Sequence, residues 1–304
     1  MTLTHKLNSG LLRIAAAGAL AGLLAGALAG CSSAAPASTE TTSVARDEAL
    51  AKLVPETIRN AGKVTVATND DYPPLMMIGE DGKSIVGAEP ELITAIGQVL
   101  GLEVELSKVN FDSLISGIQA GRFDIGMQAM LDTAERQKQV TFVDYFNTST
   151  TMLVKAADAK KYPELDTLCG QTVAVESGTG QVAMAQEQSQ KCVDAGKAAI
   201  TVDEYADGVA SLQAVVTDRA KAFLGGTPTI VYQAEKSDGA LVALGTPMNL
   251  KAYGILIPKD QPEFAEGVQG ALQKLIDDGT YGDILAKYGV QEGAIEKATI
   301  NGGN

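Results

Sequence analysis

The chain has no tryptophan and one histidine, His5, near its start. Without an imidazole beyond that point, no Ser-His-Asp or Cys-His nucleophile can be assembled there, nor a His-ligated metal site. An enzyme built only on carboxylates stays open. Basic residues are also scarce, 24 against 37 acids. The first 30 residues hold Lys6 and Arg13 and no acid, which leaves 22 bases against 37 acids beyond them, a net charge of −15. Such a surface argues against binding nucleic acid or an anionic membrane through basic patches. A phosphate loop is missing too. Gly82-Lys83-Ser84 resembles the end of one, but the glycine required five positions earlier is Met77. Any ATPase must be a separate chain, and neither a cofactor nor a metal is expected. Heptads and fixed-period repeats are absent.

Residues 1–13 are short and basic, and residues 14–28, IAAAGALAGLLAGAL, are apolar and rich in small residues. The run is short for a membrane span. It reads as an ordinary signal cut near Ala29, a weak anchor, or a bacterial lipoprotein signal, which the sequence LAGC ending at Cys31 resembles. On the last reading residues 1–30 are removed and Cys31 carries the lipid, holding the protein at the outer face of the cytoplasmic membrane. Residues 31–49 then form the lipidated cysteine and a flexible tether; seventeen small polar residues reach roughly 20–25 Å as a coil. Export favours a bridge between the remaining Cys169 and Cys192, the alternative being two unrelated thiols.

From Lys63 to Tyr288, strand-like alternation and helix-like spacing take turns. Strands read at 63–68, 103–108, 150–155, 172–176, 200–205, 222–224 and 254–257. Helices read at 90–100, 111–120, 181–190, 208–217, 228–233, 261–278 and 280–288. Asp81-Gly82 marks a turn between short strands. This alternation implies an α/β sheet with crossover connections.

The block 121–146, GRFDIGMQAMLDTAERQKQVTFVDYF, reads as a buried strand, a helix start and a second strand. Asp132 and Glu135 are spaced as a capping box, which sets Arg136 in the helix's first turn. A guanidinium fork beside free backbone N–H groups can receive a carboxylate, or it can simply form a surface ion pair.

YPPL at 72–75, DGK at 81–83, GRFDIG at 121–126, DTAER at 132–136, FVDYF at 142–146, SGTG at 177–180 and DGTYGDILAKYG at 278–289 occur in this order. Together, over about residues 50–292, they resemble the extracellular solute-binding proteins of family 3, receptors of polar amino-acid ABC importers. The resemblance implies a two-lobe, type II periplasmic-binding-protein fold, α/β in class. Lobe 1 would comprise 50–149 plus 253–292 and lobe 2 would comprise 154–248, with residues 293–304 a C-terminal tail. Two chain crossings would form the hinge. The implied protein is an expected monomer that binds a small carboxylate-bearing solute, a polar amino acid or close relative, and passes it to a permease with its own ATPase.

By the same resemblance Arg136 binds the ligand α-carboxylate, and Tyr72 and Phe111 sandwich its side chain. Phe111 reads equally well as core. Asn69 and Asp70 match polar contacts to the side chain, or plain surface. Met130, Leu131, Thr179, Gly180, Gly226 and Thr227 fall at further contact positions, Thr179 and Gly180 at a helix start whose amides can hold a carboxylate. Three positions depart from the family pattern. Leu131 replaces a hydroxyl residue, Gly180 replaces a frequent threonine, and Gly226 replaces the acid that pairs with the ligand ammonium. Either another acid (Asp70, Asp203 or Asp207) supplies that charge or the ligand lacks an ordinary amino group. The competing functions are a sensor that signals instead of feeding a permease, and a dehydratase-like enzyme on the same fold.

Overall fold

A computed structural model describes residues 44–303. Cys31, the signal of residues 1–30 and the tether up to residue 43 lie outside them. Residues 44–49, assigned to the tether from sequence, are held on the folded body. Val44 N–H donates to Gln98 Oε1 at 3.3 Å, and Lys274 Nζ lies 2.9 Å from Asp47 Oδ2. Asp47 caps α1 (Glu48–Ala51).

After α2 (Glu56–Ala61) come β1 (Lys63–Thr68), β2 (Asp71–Tyr72), β3 (Met76–Ile78) and β4 (Ile85–Val86). Strands β2–β4 form a small antiparallel sheet, and Asp81 closes its turn by accepting from the amides of Lys83 and Ser84. Then follow α3 (Ala88–Leu100), β5 (Glu103–Lys108), α4 (Leu114–Gln119) behind a single 3-10 turn, β6 (Ile125–Gly126), α5 (Ala134–Gln137) and β7 (Val140–Lys155). Next are β8 (Thr172–Glu176), α6 (Gly180–Asp194), β9 (Thr201–Tyr205), α7 (Gly208–Val216), β10 (Ala222–Gly226), α8 (Thr227–Glu235) and β11 (Leu241–Pro258). The chain closes with α9 (Pro262–Asp277), α10 (Thr280–Lys287) and β12 (Thr299–Ile300).

The main sheet runs β5-β1-β6-β11-β7-β10-β8-β9, with β12 added beside β7. Pairings of β1 with β5 and β6, and of β8 with β9 and β10, are parallel, as helical crossovers require. Strands β7 and β11 are long antiparallel partners through the middle, and their register shifts between Leu244 and Met248 and again before Lys251.

Buried apolar clusters divide into two sides. One side holds the cluster of Val66, Ile96 and Leu272 and that of Phe111, Phe142 and Leu256; the other holds the cluster of Met152, Val173 and Leu224 and that of Leu153, Phe223 and Ile230. None of the four spans both sides, so the molecule has two lobes joined by β7 and β11. Each fully buried Leu, Ile, Val or Phe contributes about 1.5–3 kcal/mol to its own lobe. Cys169 and Cys192 are disulfide-bonded, tying the approach to β8 to the last turn of α6. No helix among the described residues is long and apolar enough to cross a membrane.

Candidate functional site

Arg136 lies between the lobes. Its helix starts one residue later than the sequence suggests. Thr133 is the N-cap, its Oγ1 accepting from Arg136 N–H at 3.3 Å. Asp132 does not cap, because its fully buried carboxylate is already engaged by Gln137 Nε2 and Gly303 N–H, each at 2.8 Å. Glu135 instead pairs with Lys138 on the surface. The guanidinium donates through one nitrogen to Leu131 O and through another to Gly178 O of the opposite lobe, both at 2.9 Å. It also stands 5.6 Å from the centre of the Phe111 ring, a cation–π contact. Burial lowers the guanidinium to about 10, with the charge of Asp132 acting in the other direction, so it stays a cation at neutral pH.

Opposite Arg136, helix α6 begins at Gly180 behind Thr179. The amides of Gly180 and Gln181, in its first turn, have no acceptor within the helix and add positive potential to the same end of the cleft. The changes at Leu131 and Gly180 are complementary. A Cβ on Gly180 would lie 3.2 Å from Leu131 Cδ1, so the larger residue occupies the space that the smaller one vacates.

Gly226 is explained by crowding. Its N–H donates to Tyr72 Oη at 2.6 Å. A Cβ built there would fall 2.2 Å from Tyr253 Oη and 2.9 Å from Tyr72 Oη. Two tyrosine hydroxyls thus stand where the family's acid would project.

Acids enter the cleft elsewhere. Glu176, at the end of β8, is 6 % exposed and lines the cavity with Arg136, Phe111, Tyr72 and Asp71. Burial, then the charges of Asp71, Asp207 and Asp112, raise its carboxyl to about 8. Burial and the neighbouring Asp207 raise Asp71 to about 6. Gln128, 3 % exposed on the same wall, has an Oε1 with no hydrogen-bond donor. Asp71 accepts from Asn69 Nδ2 at 2.9 Å and feels the charge of Lys108, whereas only acidic charges act on Glu176 and no donor reaches Gln128 Oε1. Burying these last two is costly unless a donor-rich positive group meets them.

Of the residues picked from sequence, Tyr72, Phe111, Leu131, Arg136, Thr179 and Gly180 line one cavity. Asn69 and Asp70 line an adjoining acidic hollow with Asp207, where Asp70 pairs with Lys108 at 2.5 Å. Met130 packs in the cluster of Phe111, and its carbonyl accepts from Gly254 N–H. Thr227 turns away to Ser149 O at the hinge. Asp203 lies on β9 and does not line the cavity. Asp71, Gln128, Glu176 and Tyr253 were missed. Asp71 alone adjoins a residue picked from sequence, Asp70.

The model of bacterial extracellular solute-binding proteins, family 3, matches residues 64–291. The arginine-binding protein ArgT of Corynebacterium glutamicum is 30 % identical over 250 residues, 82 % of this chain and 81 % of its own length. The structure of AbpA of Streptococcus pneumoniae, an amino-acid ABC transporter substrate-binding protein bound to L-arginine, superposes with a TM-score of 0.71 at 26 % identity, over 77 % of this chain and 97 % of that one. An ancestral amino acid-binding protein described as a precursor of cyclohexadienyl dehydratase gives 0.70 at 29 % identity, over 78 % and 99 %. Two lobes on paired strands, a cleft between them and a match over most of the chain lead to one assignment: the protein belongs to the bacterial extracellular solute-binding proteins of family 3, with the type II periplasmic-binding-protein fold.

Proposed function

We infer that the chain is the extracytoplasmic receptor of an ABC importer and captures a cationic amino acid of the arginine type. One observation carries this reading: a single cavity brings together both kinds of group that an amino acid with a cationic side chain needs. Arg136 and the start of α6 offer donors to a carboxylate, and the buried carboxyl of Glu176, with Asp71 and the unpartnered Gln128 Oε1, offers acceptors to cationic N–H groups. Glu176 takes the role that position 226 has in the family, and the aromatic faces of Tyr72 and Phe111 suit a flat guanidinium between them. The names of the relatives point the same way. The protein works as a monomer, is anchored through lipid on Cys31, and hinges where β7 and β11 cross near 150–153 and 249–252. It holds its ligand without transforming it.

The test is calorimetry on residues 32–304 with arginine, lysine, ornithine, citrulline, glutamine and cystine. Arginine or lysine should bind more tightly than neutral citrulline, and at 100 times its dissociation constant should stabilise the fold by about 2.7 kcal/mol. Citrulline or glutamine binding as tightly as arginine would remove the cationic assignment. Recovery of a chemically altered ligand would move the protein to the enzymes.

A further inference from the structure

Arg136 sits on a helix with little to hold it. Helix α5 is one turn long and contains no buried residue, so apolar packing does not fix its orientation. Its anchors are polar and come from far along the chain. Gln137, the neighbour of Arg136, donates to Asp132 Oδ1 and Gly303 O at 2.8 Å, and to Asn301 O at 3.3 Å. Lys259 also donates to the Gln137 carbonyl.

The segment 299–303 that supplies two of these acceptors is itself clamped. Strand β12 pairs with β7, opposite Asp144 and Val143. Asn301 exchanges bonds with Phe142 at 2.9 and 3.0 Å. Gly302 N–H and Thr299 Oγ1 donate to Asp144 Oδ2 at 2.9 and 2.7 Å, and Gly303 N–H donates to Asp132 Oδ2 at 2.8 Å. Asp144 and Asp132 are 3 % and 0 % exposed. The fit needs glycine, since a Cβ on Gly303 would lie 2.4 Å from Asp132 O.

We propose that Gln137 and the strap 299–303 are positioning residues for ligand recognition: they hold α5 and Asp132 so that the Arg136 guanidinium is aimed across the cleft. The strap touches no ligand and acts only through Arg136. This rests on the reading that Arg136 receives the ligand carboxylate.

Two variants disturb the strap differently. Gln137→Ala removes the donor, and Gly303→Ala displaces the acceptor while keeping every donor. For each, dissociation constants are measured for arginine and for agmatine, which keeps the guanidinium and lacks the carboxylate, in the wild-type and Arg136→Ala backgrounds. Arginine affinity should fall at least 10-fold, agmatine affinity should change less than 2-fold, and neither variant should add to the loss in Arg136→Ala. Equal losses for both ligands, a loss that persists without Arg136, or unchanged arginine affinity would overturn the proposal. Hydrogen exchange of residues 134–137 in unliganded protein separates the two readings. If wild type does not bind arginine, the functional reading fails, and exchange alone decides the strap: faster exchange in both variants supports it, and unchanged exchange overturns it.

Discussion

At Arg136 two backbone carbonyls, one from each lobe, share a single guanidinium. The guanidinium has N–H donors beyond the two that these carbonyls use, and those can meet a bound carboxylate; removing the side chain strips the partner from a desolvated anion. Arg136→Ala should weaken arginine by at least about 2 kcal/mol by calorimetry. Glu176 yields a prediction with two faces. Its carboxyl titrates near 8 in the fold, against 4.5 for an ordinary glutamate. Between those values the folded protein binds more protons than the unfolded chain, so stability falls as pH rises through that window. Glu176→Gln should therefore melt higher than wild type at pH 9, by on the order of a few kcal/mol, with little difference at pH 4. A cationic ligand needs the ionised form, so wild-type affinity should tighten from pH 6 to 8 with proton release, while the Gln variant should keep only the shallower rise that Asp71, at about 6, contributes. A variant with the same pH slope as wild type would dissociate Glu176 from the ligand. Arg136 and Tyr72 could be picked as candidates because one follows a helix-start signal and the other stands in the YPPL motif that carries the resemblance, and both line the cavity. Glu176 gave no such signal. A glutamate at a strand end looks solvated, and only the fold sets it in a cavity with Asp71 and Tyr72 of the other lobe.

At the scale of elements, α6 does two separate jobs. Its first turn faces Arg136, while Cys192 lies 12 residues along, about 18 Å away at helical rise. Replacing both Cys169 and Cys192 with serine should cost about 3 kcal/mol in urea unfolding by the loop-closure estimate and leave arginine affinity unchanged. A fall in affinity at equal stability would mean that the bridge also sets the helix start. Most elements were readable from periodicity and turn chemistry, including the β3–β4 turn at Asp81 and the helix behind SGTG. Two were not. Strand β7 is continuous where the sequence suggested two strands, because its pairing with β11 carries it past Asn147–Ser149. Strand β12 is two residues long, too short for any alternation to show. Its partner Asp144 and the buried Asp132 carried no sign in the sequence that their carboxylates hold residues 299–303.

At the scale of the whole molecule, closure should appear as a ligand-dependent change in shape. Small-angle scattering of residues 32–304 should give a smaller radius of gyration with saturating arginine than without it; an unchanged radius would count against closure by the ligand. The Arg136→Ala protein, lacking the bond to Gly178 O, should be the more open of the two unliganded forms; identical profiles would count against Arg136 as a link between lobes. The joint that permits such movement is made of paired strands. Pairing of β7 with β11 holds on both sides of the crossings, while Gly245–Pro247 and Asn249–Leu250 of β11 fall in breaks of the register. Both crossing strands lie inside the sheet order, between β6 and β10, rather than at its margin. A joint placed there offers little bare strand edge to a passing chain, which keeps the risk of edge-to-edge aggregation low.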